Sequence, residues 1–243
     1  MSEKSLDTSK LDQPFPLWFI LMIPIYVVGA LSLLLFPFAG DWCWLNGWLF
    51  LISLALNITI GYAIINNKNP RVLRNRAKLK KTGLTAKTRQ AASSDRFIYP
   101  MMALGYFGAI ILSALGHRFG WVSLTFPIVL VGLLLLNVGV VIMNIAQLQN
   151  AHASKVLDIN QGQVLVDTGL YAHVRHPLYA GAILMGLAIP IALGSLWGLL
   201  PALLGALALV LRIKFKEAML VKGMEGYTDY QERVKYKLIP GIY

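Results

Sequence analysis

"FGWVSLTFPIVLVGLLLLNVGVVIMNIAQLQNAHAS", residues 119–154, contains no Asp, Glu, Lys or Arg. An α-helix rises ~1.5 Å per residue and the hydrocarbon core of a bilayer is ~30 Å thick, so about 20 apolar residues cross it. The stretch is therefore long enough to span a membrane. The same absence of charge recurs over 42–67, 97–117 and 178–211. Across all 243 residues the chain is 57% hydrophobic and 14% charged, where a soluble domain carries about a quarter charged residues. These windows predict an all-α integral membrane protein of about six transmembrane helices, at roughly 16–39, 44–66, 97–116, 122–149, 178–193 and 195–213. The last two form a hairpin broken near Gly194-Ser195, because 34 uncharged residues are too many for one span and few for two.

The net charge of +11 is unevenly placed. Ten Lys and Arg fall in 68–96, seven in 212–237, two in the N-terminal tail and two in 150–177. Only Arg118 falls in a connection on the other side, a positive-inside pattern that predicts both termini in the cytoplasm. Topology thus accounts for the basic residues, and nucleic-acid binding is not expected. Attraction to anionic lipid head groups follows as a secondary effect. The tryptophans agree: Trp42, Trp44, Trp48, Trp121 and Trp197 fall at outer span ends and Trp18 at an inner one, as indole rings at head-group level do.

Met1 to Gln13 is polar and the first apolar run is of full span length, so no cleavable signal peptide is expected. A single cysteine, Cys43, rules out an intrachain disulfide. With no internal repeat, residues 1–243 read as one polytopic membrane domain. In the basic loop, Val72, Leu73 and Leu79 are placed to form one side of a short interfacial helix, with a disordered positive loop as the alternative. In the fourth span Asn137, Asn144 and Gln147 share one side of the helix. Such amides either bond neighbouring helices or line a pocket opening to the cytoplasm.

"GLYAHVRHPLYAG", residues 169–181, lies on the cytoplasmic face just before the hairpin. Pro177 suits the first position of a helix, whose free N–H groups make an anion site. His173 and His176 have no nearby cysteine or carboxylate to complete a metal shell, so no metal site is expected. A second charged, tyrosine-rich block follows the hairpin: "RIKFKEAML" at 212–220 and "GYTDYQERVKYKLIPGIY" at 226–243. The two blocks flank one apolar hairpin and are placed to fold over each other.

Taken together, the R-H-P-x-Y-x-G motif, the hairpin, the Arg212 block and the closing tyrosine-rich block resemble the isoprenylcysteine carboxyl methyltransferase family. Phospholipid methyltransferases are similar in this half too. The resemblance is strong over residues 144–243, a methyltransferase-like C-terminal half. It implies methyl transfer from S-adenosylmethionine to a lipid-borne or prenylated acceptor, in a cytoplasmic cofactor pocket made by that half. By motif, the cofactor contacts fall on Gln163, Val164, Leu165, Val166, Tyr171, His176, Pro177, Leu178 and Tyr179, and the substrate-orienting arginine is Arg212. The residues agree chemically, with helix-start N–H groups and Arg175 suiting the cofactor carboxylate and tyrosine faces suiting its base and cation.

A carboxylate acceptor is already ionised near neutral pH and needs no base, so catalysis rests on alignment and desolvation. An amine acceptor must lose a proton, and Glu217 is the only acid in 168–224, which makes it the expected base. The carboxylate is the first expectation and the phospholipid amine the second. The family's paired glutamates are replaced here by Lys216 and Glu217. Two further readings keep the architecture: a membrane reductase of the sterol-reductase type, and a non-catalytic membrane protein retaining the fold.

Overall fold

The computed structural model describes residues 13–78, 86–121, 123–150 and 165–243. Eight α-helices are described: α1 Leu17–Ala39, α2 Leu45–Lys68, α3 Pro70–Lys78, α4 Ala86–Arg118, α5 Phe126–Gln149, α6 Pro177–Ala192, α7 Leu199–Gly223 and α8 Tyr227–Arg233. Among the described residues there is no β-strand, only a bridge between Ser123 and Ser195. Six helices cover the predicted spans, but α4 begins eleven residues before its span, at Ala86 rather than 97, and α7 runs ten residues beyond its own, to Gly223 rather than 213. α3 forms as one of the two alternatives for the basic loop, with Val72 buried; Leu79 lies outside the described residues.

Four helices are long and apolar enough to cross a membrane: α1, α2, α5 and the Asp95–Arg118 part of α4. The hairpin differs. α6 has 16 residues, and α7 meets Arg212, Lys214 and Lys216 after its first 13. At ~1.5 Å per residue these apolar lengths reach only ~20–24 Å, short of a full bilayer core. The break between them comes where expected, with Gly194 at φ 79°, a conformation that glycine adopts without a Cβ penalty.

The helices pack through glycine. α5 and α6 are antiparallel, and a Cβ on Gly139 would lie 2.7 Å from the Gly181 carbonyl oxygen. α4 and α7 cross at Gly105 and Gly205, where a Cβ on Gly105 would overlap the other backbone. Such close approach carries much of the packing in membrane bundles, where burial of apolar surface gives little drive. A core of Leu35, Phe36, Phe50, Leu51, Ile110, Leu136, Ile189 and Leu193 joins α1, α2, α4, α5 and α6.

Polar side chains tie α2 to α5. Asn137 Nδ2 donates to Ser53 Oγ at 2.9 Å, and Ser53 and Asn57 both donate to Asn137 Oδ1. Asn137 therefore bonds a neighbouring helix, the first of the two expected uses, while Asn144 packs against Gly61 of α2. Gln147, one turn further on, is different: it is buried and its Oε1 has no hydrogen-bond partner.

The two ends of the bundle contrast. One end carries the basic segments and residues 169–181. The other carries Trp42, Trp48, Trp121 and Trp197, all partly exposed, and Trp44, which is buried and stacked on His117 at 4.5 Å. At that far end a cavity of about 180 Å³ is lined by Trp44, Asn46, Ser113, His117, Trp121 and Ser195 among others.

Candidate active site

At the basic end the chain approaches α6 through a 3₁₀ turn at Gly169–Ala172 and enters the helix at Pro177. Pro177 lacks an N–H and fixes φ, which suits the first helical position. Gly169, at φ 61°, lies against Gln149 of α5, whose Oε1 accepts from Leu170 N at 3.0 Å.

The C-terminal segment folds back over this entry. Arg175 N donates to Tyr236 O and His176 N to Lys237 O, each at 2.9 Å. Tyr230 Oη donates to Tyr171 O at 2.7 Å, and Arg233 pairs with Asp167 at 2.8 Å. Beneath it Leu220, Met224, Tyr227, Tyr230 and Val234 form a small apolar core with Leu165 packed against it. The two blocks do fold over each other, as their composition implied.

Glu217 of α7 is the hub of the first buried charge cluster. Its Oε1 accepts from Arg175 Nε at 2.7 Å and from His176 Nε2 at 3.2 Å, and its Oε2 lies 3.4 Å from Lys237 Nζ. Arg175 Nη1 also donates to the carbonyls of Val234 and Lys235, at 2.6 and 3.0 Å. Burial alone would raise the Glu217 carboxyl, but the bonds from His176 and Arg175 outweigh it and hold it at about 2. Burial pushes the His176 imidazole down despite Glu217 beside it. The neutral ring therefore donates its Nε2–H to the carboxylate. A carboxylate with so low a value is a poor proton acceptor at neutral pH, which does not favour the base role expected for Glu217.

Arg212 anchors the second cluster. Its Nε and Nη2 donate to Asp95 Oδ1 and Oδ2 at 3.0 and 3.1 Å, a bidentate pair. Nη2 also donates to Tyr99 Oη at 2.9 Å and Nη1 to Tyr179 Oη at 3.2 Å. The Tyr99 ring lies 4.8 Å from the guanidinium carbon. His176 stacks on Tyr179 with centroids 5.7 Å apart, so the two clusters touch.

Of the residues expected to form the site, Tyr171, Arg175, His176, Pro177, Tyr179, Arg212 and Glu217 are brought together at this end, with Leu178 in the first turn of α6 and Leu165 and Val166 beside the folded-back segment. Gln163 and Val164 lie outside the described residues. Arg175, His176 and Pro177 are buried where that segment folds back. Asp95 lies outside 168–224, the stretch in which Glu217 is the only acid, so the acid beside Arg212 is not the one the motif indicates. A signal was present: Asp95 is the only acid between residues 42 and 157.

Residues 127–224, from the start of α5 to just past α7, match the phospholipid methyltransferase family. The likeness is to membrane methyltransferases as a class and does not single out the isoprenylcysteine branch. No curated protein matches the chain significantly.

Proposed function

We propose that this protein transfers a methyl group from S-adenosylmethionine to a lipid-borne acceptor, working at the cytoplasmic end of a six-span membrane domain with both termini on that side. The observation that carries the reading is the folding of residues 226–243 over the start of α6, which itself lies within the region similar to phospholipid methyltransferases. On this reading 144–243 is the methyltransferase half of a single domain, and α6 and α7 form a short reentrant-length hairpin that still reaches both faces through local thinning.

The residues fit the cofactor. Gly139 and Met143 of α5 lie against Gly181 of α6, so the next turn of α5 brings Gln147 level with the first turn of α6. Its unpartnered buried oxygen is an acceptor left for an amino group. S-adenosylmethionine, when bound, supplies a methyl group on an electrophilic sulfonium. By motif Gln163, Val164, Leu165, Val166, Tyr171, His176, Pro177, Leu178 and Tyr179 would contact it. Arg175 is the cation the motif offers for its carboxylate, but it is already bonded to Glu217, Val234 O and Lys235 O, so Lys237, more open to solvent, would supply the positive charge. The acceptor comes from the membrane: a prenylated carboxylate by motif resemblance, or a phospholipid amine by the family that 127–224 matches.

Calorimetry on the purified protein in detergent tests this. S-adenosylmethionine binds, His176→Ala and Tyr179→Ala weaken it at least tenfold, and His117→Ala at the far end leaves it unchanged. A folded protein that binds no S-adenosylmethionine, or binds a reduced nicotinamide cofactor instead, overturns the reading.

A further inference from the structure

We propose that the cavity at the tryptophan-rich end binds a neutral polyhydroxyl group of glycerol to hexose size, carried by a soluble polyol or by a lipid head group in that leaflet. The site lies at the opposite end of the bundle from the candidate active site and does not depend on the methyl-transfer reading. It arises from the short hairpin. α4 meets the α6–α7 turn at Ser113, whose Oγ lies against Gly198, and then runs on to Arg118. Those last residues carry α4 about 7.5 Å past the turn. The cavity of about 180 Å³ sits at this step, between the end of α4, the start of α2 and the turn itself. That volume equals roughly six waters at ~30 Å³ each, more than a single bridging water needs.

The walls are set in the chain itself. Leu124 N donates to Gly194 O at 2.8 Å and Trp121 N to Gly116 O at 2.9 Å, which ties the α4–α5 connection to both sides. Trp44 lies flat on the His117 ring, and Trp121 meets Trp197 edge-on. Trp44, Ser113 and Ser195 are buried, whereas His117 and Trp121 are exposed. The cavity thus has an enclosed floor and an open rim.

The lining selects the chemistry. Among the described residues no Asp, Glu, Lys or Arg lines it, and His117 is already bonded to Asp41 at 3.0 Å. An anion would enter without a countercharge, and a cation would find indole faces but no carboxylate in the wall. A neutral polyol brings no charge to compensate. Indole faces cover its C–H groups, while Asn46, Ser123 and Ser195 offer hydrogen-bond donors and acceptors. Ser113 points the same way independently. Its hydroxyl is buried without a hydrogen-bond partner, although a serine within a helix can bond back to the carbonyl four residues earlier. A hydroxyl left in that state is costly until a group in the cavity satisfies it.

The test follows tryptophan fluorescence of the full chain in phosphatidylcholine nanodiscs, titrated with free glucose or prepared with increasing monoglucosyl diacylglycerol. A saturable change with at least one probe is expected. A response to free glucose identifies a soluble polyol, and a response to the glycolipid alone identifies a lipid head group. Gly116→Leu, which fills the cavity, weakens the response at least tenfold and Ser113→Ala at least threefold, whereas Trp48→Phe, outside the lining, leaves it unchanged. Should Gly116→Leu not fold, Gly116→Ala replaces it, since its methyl would meet Ser195 and Trp121 at 3.4 Å. Protonated glucosamine and glucuronate, matched in size but charged, bind more weakly than glucose. No saturable change with either probe, the result for a cavity that holds water only, overturns the inference. So does a charged sugar that binds more tightly than glucose, or a folded Gly116→Leu that responds like wild type. S-adenosylmethionine binding by these variants is expected to be unchanged, so failure here leaves the methyl-transfer reading intact.

Discussion

The basic end and the tryptophan-rich end of the bundle each hold a carboxylate against a side-chain nitrogen, in opposite surroundings. At the basic end the Asp95 and Arg212 side chains are 8% and 6% exposed, and Glu217 is similarly enclosed by Arg175 and His176. At the far end His117 Nε2 meets Asp41 Oδ2 at 3.0 Å with the side chains 34% and 42% exposed. Enclosed pairs hold distant segments in place, because losing one partner leaves the other stranded. Open pairs exchange readily with water and salt. Here the enclosed pairs join α4 to α7, and α7 to the approach to α6, so charge does structural work only where the candidate site lies.

The most direct way to break this contrast is Asp95→Ala. It strands Arg212 and is expected to cost about 3–5 kcal/mol in detergent unfolding, with part of the loss recovered when Arg212 is also replaced by leucine. A loss below about 1 kcal/mol would mean that water reaches the pair.

Glu217 sharpens the comparison through pH. Its carboxyl is held from the ordinary 4.5 down to about 2. A depressed folded value gives stability that is fully present above about pH 4.5 and lost as pH falls toward 2. The contribution is at most about 3 kcal/mol, and screening on the Lys237 side reduces it to about 1–2 kcal/mol. Acid unfolding of wild type and Glu217→Gln should converge near pH 2; parallel curves from pH 7 down would show that the charge is not held this way.

Packing gives a smaller step. Gly181→Ala puts a methyl 2.6 Å from the Gly139 carbonyl oxygen and is expected to cost about 1–3 kcal/mol, whereas Gly29→Ala enters open space and should not destabilise. Equal thermal midpoints for the two would remove the glycine seam from the account.

The smallest effect belongs to the far end. Asp41→Asn should leave unfolding within error of wild type, and any change should vanish in high salt. The hydrogen bond from His117 lowers the Asp41 carboxyl, but on a side chain open to solvent this carries little stability.

How much of this was legible follows from where each signal sits. The helices could be read because charge is excluded over whole windows, a property of many residues at once. The hairpin break could be read from length, though not that Arg212, Lys214 and Lys216 leave α7 with so short an apolar stretch. The uses of Asn137 and Gln147 could not be separated, since both amides share one helix side and only the neighbouring helix distinguishes them. Asp95 was not legible because its partner lies 117 residues away, in a different part of the bundle from the motif. Its isolation in a basic loop was visible, but isolation alone names no partner.

The bonds from Arg175 and His176 to Tyr236 and Lys237 also set an order of assembly. Every helix of the bundle precedes residues 234–237 in synthesis, so the hairpin reaches the membrane with the start of α6 uncovered and Arg175 lacking two of its carbonyl acceptors. The candidate site therefore closes only after residues 234–237 have been made. Until then the start of α6 stays uncovered, and damage confined to residues 234–243 would leave the preceding helices in place with the site unsealed.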